Sequence, residues 1–381
     1  MDQEKLRFHN GVFKIMVIGD LHEPDVIESI DARRRTSDAM RLLAAAADKL
    51  RPDLAVYAGD QGKSGDEARM RALIRRITAP LREREIPYAV VFGNHDRECE
   101  LPLSRQLALY REEYDRLYTY DTPGLPGCGN CCVPVYDAAG EKPVWRLWQA
   151  DSLGGYPDPA VSPYDWLQPE QVAWYRRTAA ENKAADGRVL PALWFMHIPV
   201  REEYRLLRKA KWYELPWSVK GFAGRQGSRY IQKDRSIGYL GEDPAAAAVN
   251  SGIFEAWKET GDVKAAVFGH DHMNDFAGEV DGILLCQCKT AGFYPYTDGC
   301  SGGVRLITLY EDDPARVDTR MVRFKELGLK SESLGPVMRH FHDRQVINIR
   351  VASAVGGAVL GLAGLLIAGR RWRGRRSGKA K

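Results

Sequence analysis

The sequence predicts an α/β protein built on a largely parallel sheet. Two observations carry this. Apolar runs of strand length alternate with helical stretches through the first third of the chain, the pattern of stacked βα units. Five apolar runs also stop at polar side chains suited to chemistry, and in open α/β sheets ligands gather beyond the carboxyl ends of the strands.

Taken in order, 12–18 (VFKIMVI) reads as a strand and 37–50 as a helix. DLAVYAGD is a strand ending at Asp60, residues 66–79 are helical, YAVVFGNHD is the next strand, and LALYREEYDRLY is helical again. Residues 121–165 are rich in Pro and Gly and read as loops around one strand, VWRLWQA. A helix at 168–181 leads to ALWFMH, which ends at His197. Residues 201–240 read as irregular and basic, with Arg225, Arg229 and Lys233 either meeting an anionic substrate or lying on a solvated loop. A helix at 245–260 precedes VKAAVFGHDH, and short strands at 276–280, 283–288, 303–310 and 317–324 close the domain. Residues 325–350 read as a connector.

The polar ends are Asp20-Leu21-His22, Gly59-Asp60, Gly93-Asn94-His95-Asp96, Met196-His197 and Gly269-His270-Asp271-His272. Five of the eight histidines fall in them, whereas histidines used merely for packing would scatter. A lone Asp-x-His is usually a turn or a cap; five such ends in series, each after a strand, are a specific signal. The donors are oxygen and nitrogen with no thiolate, which suits Mn, Fe or Zn and disfavours Cu(I) or a structural zinc.

This set resembles the signature of the calcineurin-like metallophosphoesterases, D-x-H, GD, GNH(D/E), a lone H and GHxH, over about residues 6–324. The resemblance is nearest to the purple-acid-phosphatase-like branch, through YDWLQPEQVAWY, FMHIPVREEY, NSGIF and GHDHMNDF. It implies a four-layer α/β/β/α sandwich with a dinuclear site for two divalent or trivalent ions. In that pattern Asp20, His22 and His272 hold one metal, Asn94, His197 and His270 the other, and Asp60 bridges. His95 would reach the phosphate and protonate the leaving oxygen, with Asp96 orienting it; the plainer reading of Asp96 is a cap on the following turn. Two features depart from true purple acid phosphatases. His22 has no counterpart in their first motif, and Lys63 stands where their second motif carries a Tyr. Asn274 and Asp275 are either supports for His272 or a turn.

The expected activity is a metal-dependent phosphohydrolase, a phosphomonoesterase or protein phosphatase acting on a small phosphorylated molecule or a phosphoprotein. A phosphodiesterase or nuclease on the same site is the alternative, and a non-catalytic metal-binding membrane scaffold the remote one. Nucleic acid is disfavoured by charge. The net +4 resides in the tail 370–381, without which the chain carries 48 basic and 51 acidic residues, a net of −3.

Seven cysteines, an odd number, argue against a disulfide framework. Cys128, Cys131 and Cys132 offer only half of a structural zinc site, and Cys286 and Cys288 share a strand face, so thiols are expected. The N-terminus carries no apolar run of signal-peptide type, which with the cysteines suggests a reducing, cytoplasmic setting. Residues 351–369 are uncharged, include the GxxxG of Gly357 and Gly361, and are followed by a basic tail. At about 1.5 Å per residue they just reach across a hydrocarbon core of roughly 30 Å, so a single C-terminal transmembrane anchor is expected. The positive-inside rule would keep the basic tail in the cytoplasm, but a tail of twelve residues crosses more easily than a whole domain, so the catalytic domain is expected on the cytoplasmic side.

Overall fold

The computed structural model describes residues 4–294, 296–340, 350 and 352–365. Its main elements are β1 (Val12–Ile18), α1 (Ile30–Leu50), β2 (Leu54–Ala58), α2 (Glu67–Arg82), β3 (Tyr88–Val91), α3 (Leu103–Glu113), β4 (Cys131–Tyr136), β5 (Pro143–Gln149), α4 (Pro169–Asp186), β6 (Ala192–Met196), α5 (Ile253–Thr260), β7 (Val263–Phe268), β8 (Ala277–Val280), β9 (Ile283–Gln287), β10 (Gly303–Tyr310) and β11 (Val317–Arg323).

Two sheets result. One runs β11-β10-β1-β2-β3, with β1, β2 and β3 parallel; the other runs β8-β9-β7-β6-β5-β4, with β9, β7, β6 and β5 parallel. Strand side chains alternate between faces, and the burial pattern follows. Ile15, Val17, Val56 and Val91 of the first sheet share one buried cluster with Val135, Leu147, Phe195 and Val267 of the second. The opposite face of the first sheet, with Met16, Ile18 and Tyr57, packs under Leu42, Leu43, Leu73 and Ile77 of α1 and α2. The opposite face of the second, with Trp148, Trp194 and Phe268, packs under Tyr175 of α4 and Trp257 of α5. The layers are therefore helix, sheet, sheet, helix, a mixed α/β arrangement.

Several expectations need correction. β4 went unread because Pro134 interrupts it; a strand can carry Pro at a sheet edge, and β4 is an edge. The helix expected over 245–260 begins only at Ile253, after Gly252 in a left-handed conformation. The alanines before it have high helix propensity, but Ala245 N–H is bound to Asp271 (3.1 Å) and Ala248 N–H to Ser162 Oγ (2.9 Å), and these tertiary bonds take the place of helical ones. Residues 201–240 are less irregular than expected, since Leu207–Lys209, Val219–Lys220 and Arg229–Gln232 form a small antiparallel sheet. All seven cysteines are free thiols, six of them buried.

The expected transmembrane anchor is overturned. Residues 352–365 are helical, but no helix among the described residues is long and apolar enough to cross a membrane. A span needs about 20 residues, more than the described residues of this helix supply. The membrane placement built on that anchor falls with it. Residues 366–369 and the basic tail 370–381 lie outside the described residues. Part of the expected connector packs back on the domain. Asp38 of α1 accepts bonds from Ser331 Oγ (2.6 Å) and Ser333 Oγ (2.7 Å), and Arg41 meets Glu332 (2.8 Å).

Candidate metal centre

All five polar ends arrive at one edge of the double sheet, because β1, β2, β3, β6 and β7 each point their carboxyl ends there. Reaching the edge requires sharp turns. Among the described residues nine non-glycine residues have positive φ, and Asp20 (51°), His22 (46°), Asp60 (56°) and His270 (72°) are four of them. Such conformations cost of order 1 kcal/mol or more each and gather where function demands them. Glycine is required where the backbones crowd. A Cβ on Gly59 (φ +100°) would lie 2.1 Å from His197 Nδ1, and one on Gly93 would lie 2.2 Å from Asp60 Oδ1.

Two adjoining groups result, Asp20 with His22 and His272, and Asp60 with His197 and His270. Asp60 Oδ2 lies between them, 3.1 Å from His197 Nε2 and 3.6 Å from His22 Nε2. Its other oxygen, Oδ1, accepts the His95 N–H at 2.8 Å. Asn94 Oδ1 is 3.2 Å from His197 Nε2. His22 and His272 bring their Nε2 atoms to 3.1 Å of each other, and His272 Nε2 is 3.6 Å from Asp20 Oδ1. Thus the seven residues expected as ligands converge, from positions as far apart as 20 and 272.

Their chemistry fits two cations. His197 Nδ1 faces the Ala58 carbonyl at 2.8 Å and His272 Nδ1 faces the Tyr296 carbonyl at 3.0 Å. Each ring then carries its N–H outward and turns the Nε2 lone pair into the centre, the arrangement common in metal-bound imidazoles. His270 turns its Nδ1 to within 3.3 Å of His197 Nε2, so two ring nitrogens face each other where a cation would be held. Burial holds His22 down at about 4 and His272 at about 3, so both rings are neutral and available as ligands at neutral pH. Burial lifts the Asp20 carboxyl well above its ordinary range, as expected of a carboxylate short of positive charge. For Asp60 burial acts the same way, but the charge and hydrogen bond of His197 outweigh it and hold the carboxyl low. Burial alone would depress His197; its partnership with Asp60 instead raises it to about 10. Asp60 therefore draws positive charge to this spot, and a metal would compete with a proton for Nε2.

His95 stands at the rim, its side chain 47% exposed and its ring 5.2 Å from that of His22. The carboxylate facing it is Glu98, 2.9 Å from Nδ1, and not Asp96. Asp96 is buried and accepts the backbone N–H groups of Asp60 (2.9 Å), Gln61 (3.0 Å) and Gly93 (2.8 Å). It ties the second and third polar ends together, a wider form of the capping role. Burial, with the charge of Asp60 added, raises it to about 7. Lys63 meets the far side of Glu98 at 2.7 Å, so the residue standing where purple acid phosphatases carry Tyr belongs to a Lys63–Glu98–His95 chain. Glu98 went unnoticed because its approach depends on the short helical turn Asp96–Glu98, which places i and i+3 on one side.

Two tyrosines also escaped the sequence reading. Tyr164 sets its ring edge-on to His270, with centroids 4.4 Å apart, and Tyr296 stacks on His272 at 4.3 Å. Tyr164 lies within the quoted stretch YDWLQPEQVAWY; Tyr296 had no signal. Asn274 and Asp275 are engaged elsewhere: Asn274 accepts the Gly241 N–H (2.9 Å), and Asp275 pairs with Arg323 (2.9 Å).

The fold and the donor set define a mixed α/β hydrolase with a candidate dinuclear metal centre. Residues 13–274 match the family described as calcineurin-like phosphoesterase. The chain belongs to that family and is a hydrolase of its kind. It is 28% identical over 320 residues to "Probable inactive purple acid phosphatase 29" of Arabidopsis thaliana, covering 77% of this chain and 76% of that protein. It is 30% identical over 318 residues to "Probable inactive purple acid phosphatase 28" of the same plant, covering 76% and 73%. A dimetal phosphatase structure from Danio rerio aligns with TM-score 0.49 and 17% identity over 82% of this chain and 96% of that one.

Proposed function

We propose that this chain hydrolyses phosphomonoesters, including phosphorylated protein side chains, at a two-metal centre. Asp20, His22 and His272 would hold one ion, Asn94, His197 and His270 the other, and Asp60 both. The observation that carries the reading is Asp60 Oδ2, which faces His197 Nε2 and His22 Nε2 from between the two groups. Two bound ions would lower the pKa of a water, orient the phosphoryl group and stabilise an in-line transition state. The chain's own residues do the rest. Asn94 donates a neutral oxygen and so limits the negative charge of the ligand set. His95, with Nδ1 held by Glu98, keeps Nε2 for a proton to the leaving oxygen. Lys63 fixes Glu98 from outside.

The Arabidopsis relatives are named inactive, which favours a second reading in which metal is bound without turnover. One experiment separates the two. The purified chain is loaded with Mn, Fe or Zn, and hydrolysis of an aryl phosphomonoester is compared with that of the matching diester. Metal-dependent release from the monoester supports phosphohydrolysis; bound metal with no release from either supports the second reading. Preference for the diester would assign the centre to phosphodiester cleavage.

A further inference from the structure

The insertion between β6 and α5 carries chemistry that the metal centre does not use. Residues 205–233 hold eight basic residues and a single acid, Glu214, in a chain that is otherwise acidic outside its tail. Glu214 is spent internally. It pairs with Arg208 through both oxygens, at 2.7 Å each, and accepts the Lys211 N–H at 2.8 Å. Three more cations are also taken, Arg205 by Asp281 (2.6 Å), Arg225 by Asp243 (2.8 Å) and Arg229 by Ser218 Oγ (2.7 Å). No ion pair among the described residues reaches Lys209, Lys211, Lys220 or Lys233, and all four are exposed. Uncompensated positive charge therefore faces outward.

Beside it lies an apolar surface that the fold leaves uncovered. The turn Trp212–Trp217 exposes Trp212 (82%), Tyr213, Leu215 and Trp217 (52%). Such a cluster costs solubility and marks an interaction surface, and Trp and Tyr are the residues that interfaces concentrate. The turn is not loose, since Glu214 and Arg229 pin its two ends to the small sheet. The insertion also reaches the metal centre. Phe222 stacks on Tyr164 with centroids 6.0 Å apart, and Tyr164 is the ring set against His270. Arg225 is seated between the rings of Tyr204 (3.9 Å) and Tyr230 (3.7 Å). A partner held on the platform is thus held beside the cleft.

The geometry points to this insertion as a docking platform for an acidic polypeptide segment with an apolar anchor, the flank of a phosphorylated protein substrate. The lysines complement the acids, the aromatic turn takes the anchor, and the phosphorylated side chain enters the cleft past Phe222 and Tyr164. The inference rests on the phosphomonoesterase reading.

The test uses the full, metal-loaded chain and two substrates, an aryl phosphomonoester and a phosphoserine peptide flanked by Glu, Asp and one Leu. Trp212→Ser/Trp217→Ser and Lys209→Glu/Lys211→Glu/Lys220→Glu alter exposed side chains only. Each is expected to lower kcat/KM for the peptide by about tenfold or more through KM, with the aryl ester unchanged. Raising salt from about 0.05 to about 0.3 M weakens peptide use in the wild type and not in the Lys variant. Unchanged peptide kinetics in both variants, or an equal fall for both substrates, overturns the platform. Trp-dependent binding to anionic vesicles without any effect on the peptide, or a wild-type dimer that the Trp variant dissolves, also overturns it, in favour of a lipid surface or a second copy. Absence of aryl ester hydrolysis by the wild type defeats the hydrolase reading instead. Peptide binding by Trp fluorescence still decides the platform in that case.

Discussion

The metal cleft and the basic insertion beside it are built in opposite ways. The cleft gathers side chains from Asp20 to His272, each at a strand end and most of them buried. The insertion draws its character from one continuous stretch, and its distinctive residues lie in water. The first arrangement fixes positions to fractions of an ångström, because each donor hangs on a hydrogen-bonded strand and its neighbours leave no room to move. The second presents area and charge without such fixity. Chemistry needs the first and recognition can use the second. Substitutions in the cleft should therefore be severe and act on every substrate, and those outside it milder and selective.

The largest effect is expected at Asp60. Asp60→Asn keeps the size but removes the charge shared between the two groups. It should lower metal content and cut turnover on the order of 10³-fold, several kcal/mol of lost transition-state stabilisation. Metal analysis and kcat on the same preparation check both; full occupancy with near-normal turnover would remove Asp60 from the centre. His95→Ala should keep the metals and lose about 10²–10⁴-fold in turnover. Loss of metal in that variant would make His95 a ligand and redraw the division between cleft and rim. Glu98→Gln should cost less, about tenfold, and Asp96→Asn should instead lower thermal stability through the three backbone groups it holds. The reverse pattern would restore Asp96 as the partner of His95.

The smallest effect on activity, though not on stability, is expected where the two regions meet. Glu203 opens the insertion, is fully buried, and bonds Gln287 of β9 at 2.7 Å. Burial raises its carboxyl from 4.5 to about 8. Between those values the folded chain keeps a proton that the unfolded chain has released, so stability is full below about pH 4.5 and falls as pH rises toward 8. Glu203→Gln removes that dependence. The melting temperature of the variant, measured against wild type from about pH 5 to about pH 8.5, should lie flatter, with the gap widening at high pH. At about 1.4 kcal/mol per pKa unit the effect reaches a few kcal/mol. Parallel curves would mean that Glu203 is ionised in the fold.

What the sequence disclosed and what it hid follow from the same contrast. The five polar ends were legible because each donor sits in a short motif whose strand is itself apolar and periodic, as in VVFGNHD and AAVFGHDH. The exchange of Asp96 for Glu98 at His95 was not, because it depends on which way a three-residue turn faces. β4 was hidden by Pro134, which an edge strand tolerates, and the alanines before Ile253 by contacts from Asp271 and Ser162 that no propensity reports. Residues 351–369 have a composition that suits a span, but the described helix there is too short for one. In the insertion Arg225 and Arg229 could be counted from sequence, while their internal partners Asp243 and Ser218 could not.

The central claim is that seven side chains from five strand ends enclose two cations. It is tested most directly by counting metal in the purified, reconstituted chain while following hydrolysis of an aryl phosphomonoester. The account predicts two equivalents per chain, activity lost when a chelator removes them and regained when they are returned. One equivalent or none at saturation, or hydrolysis indifferent to the chelator, would contradict it.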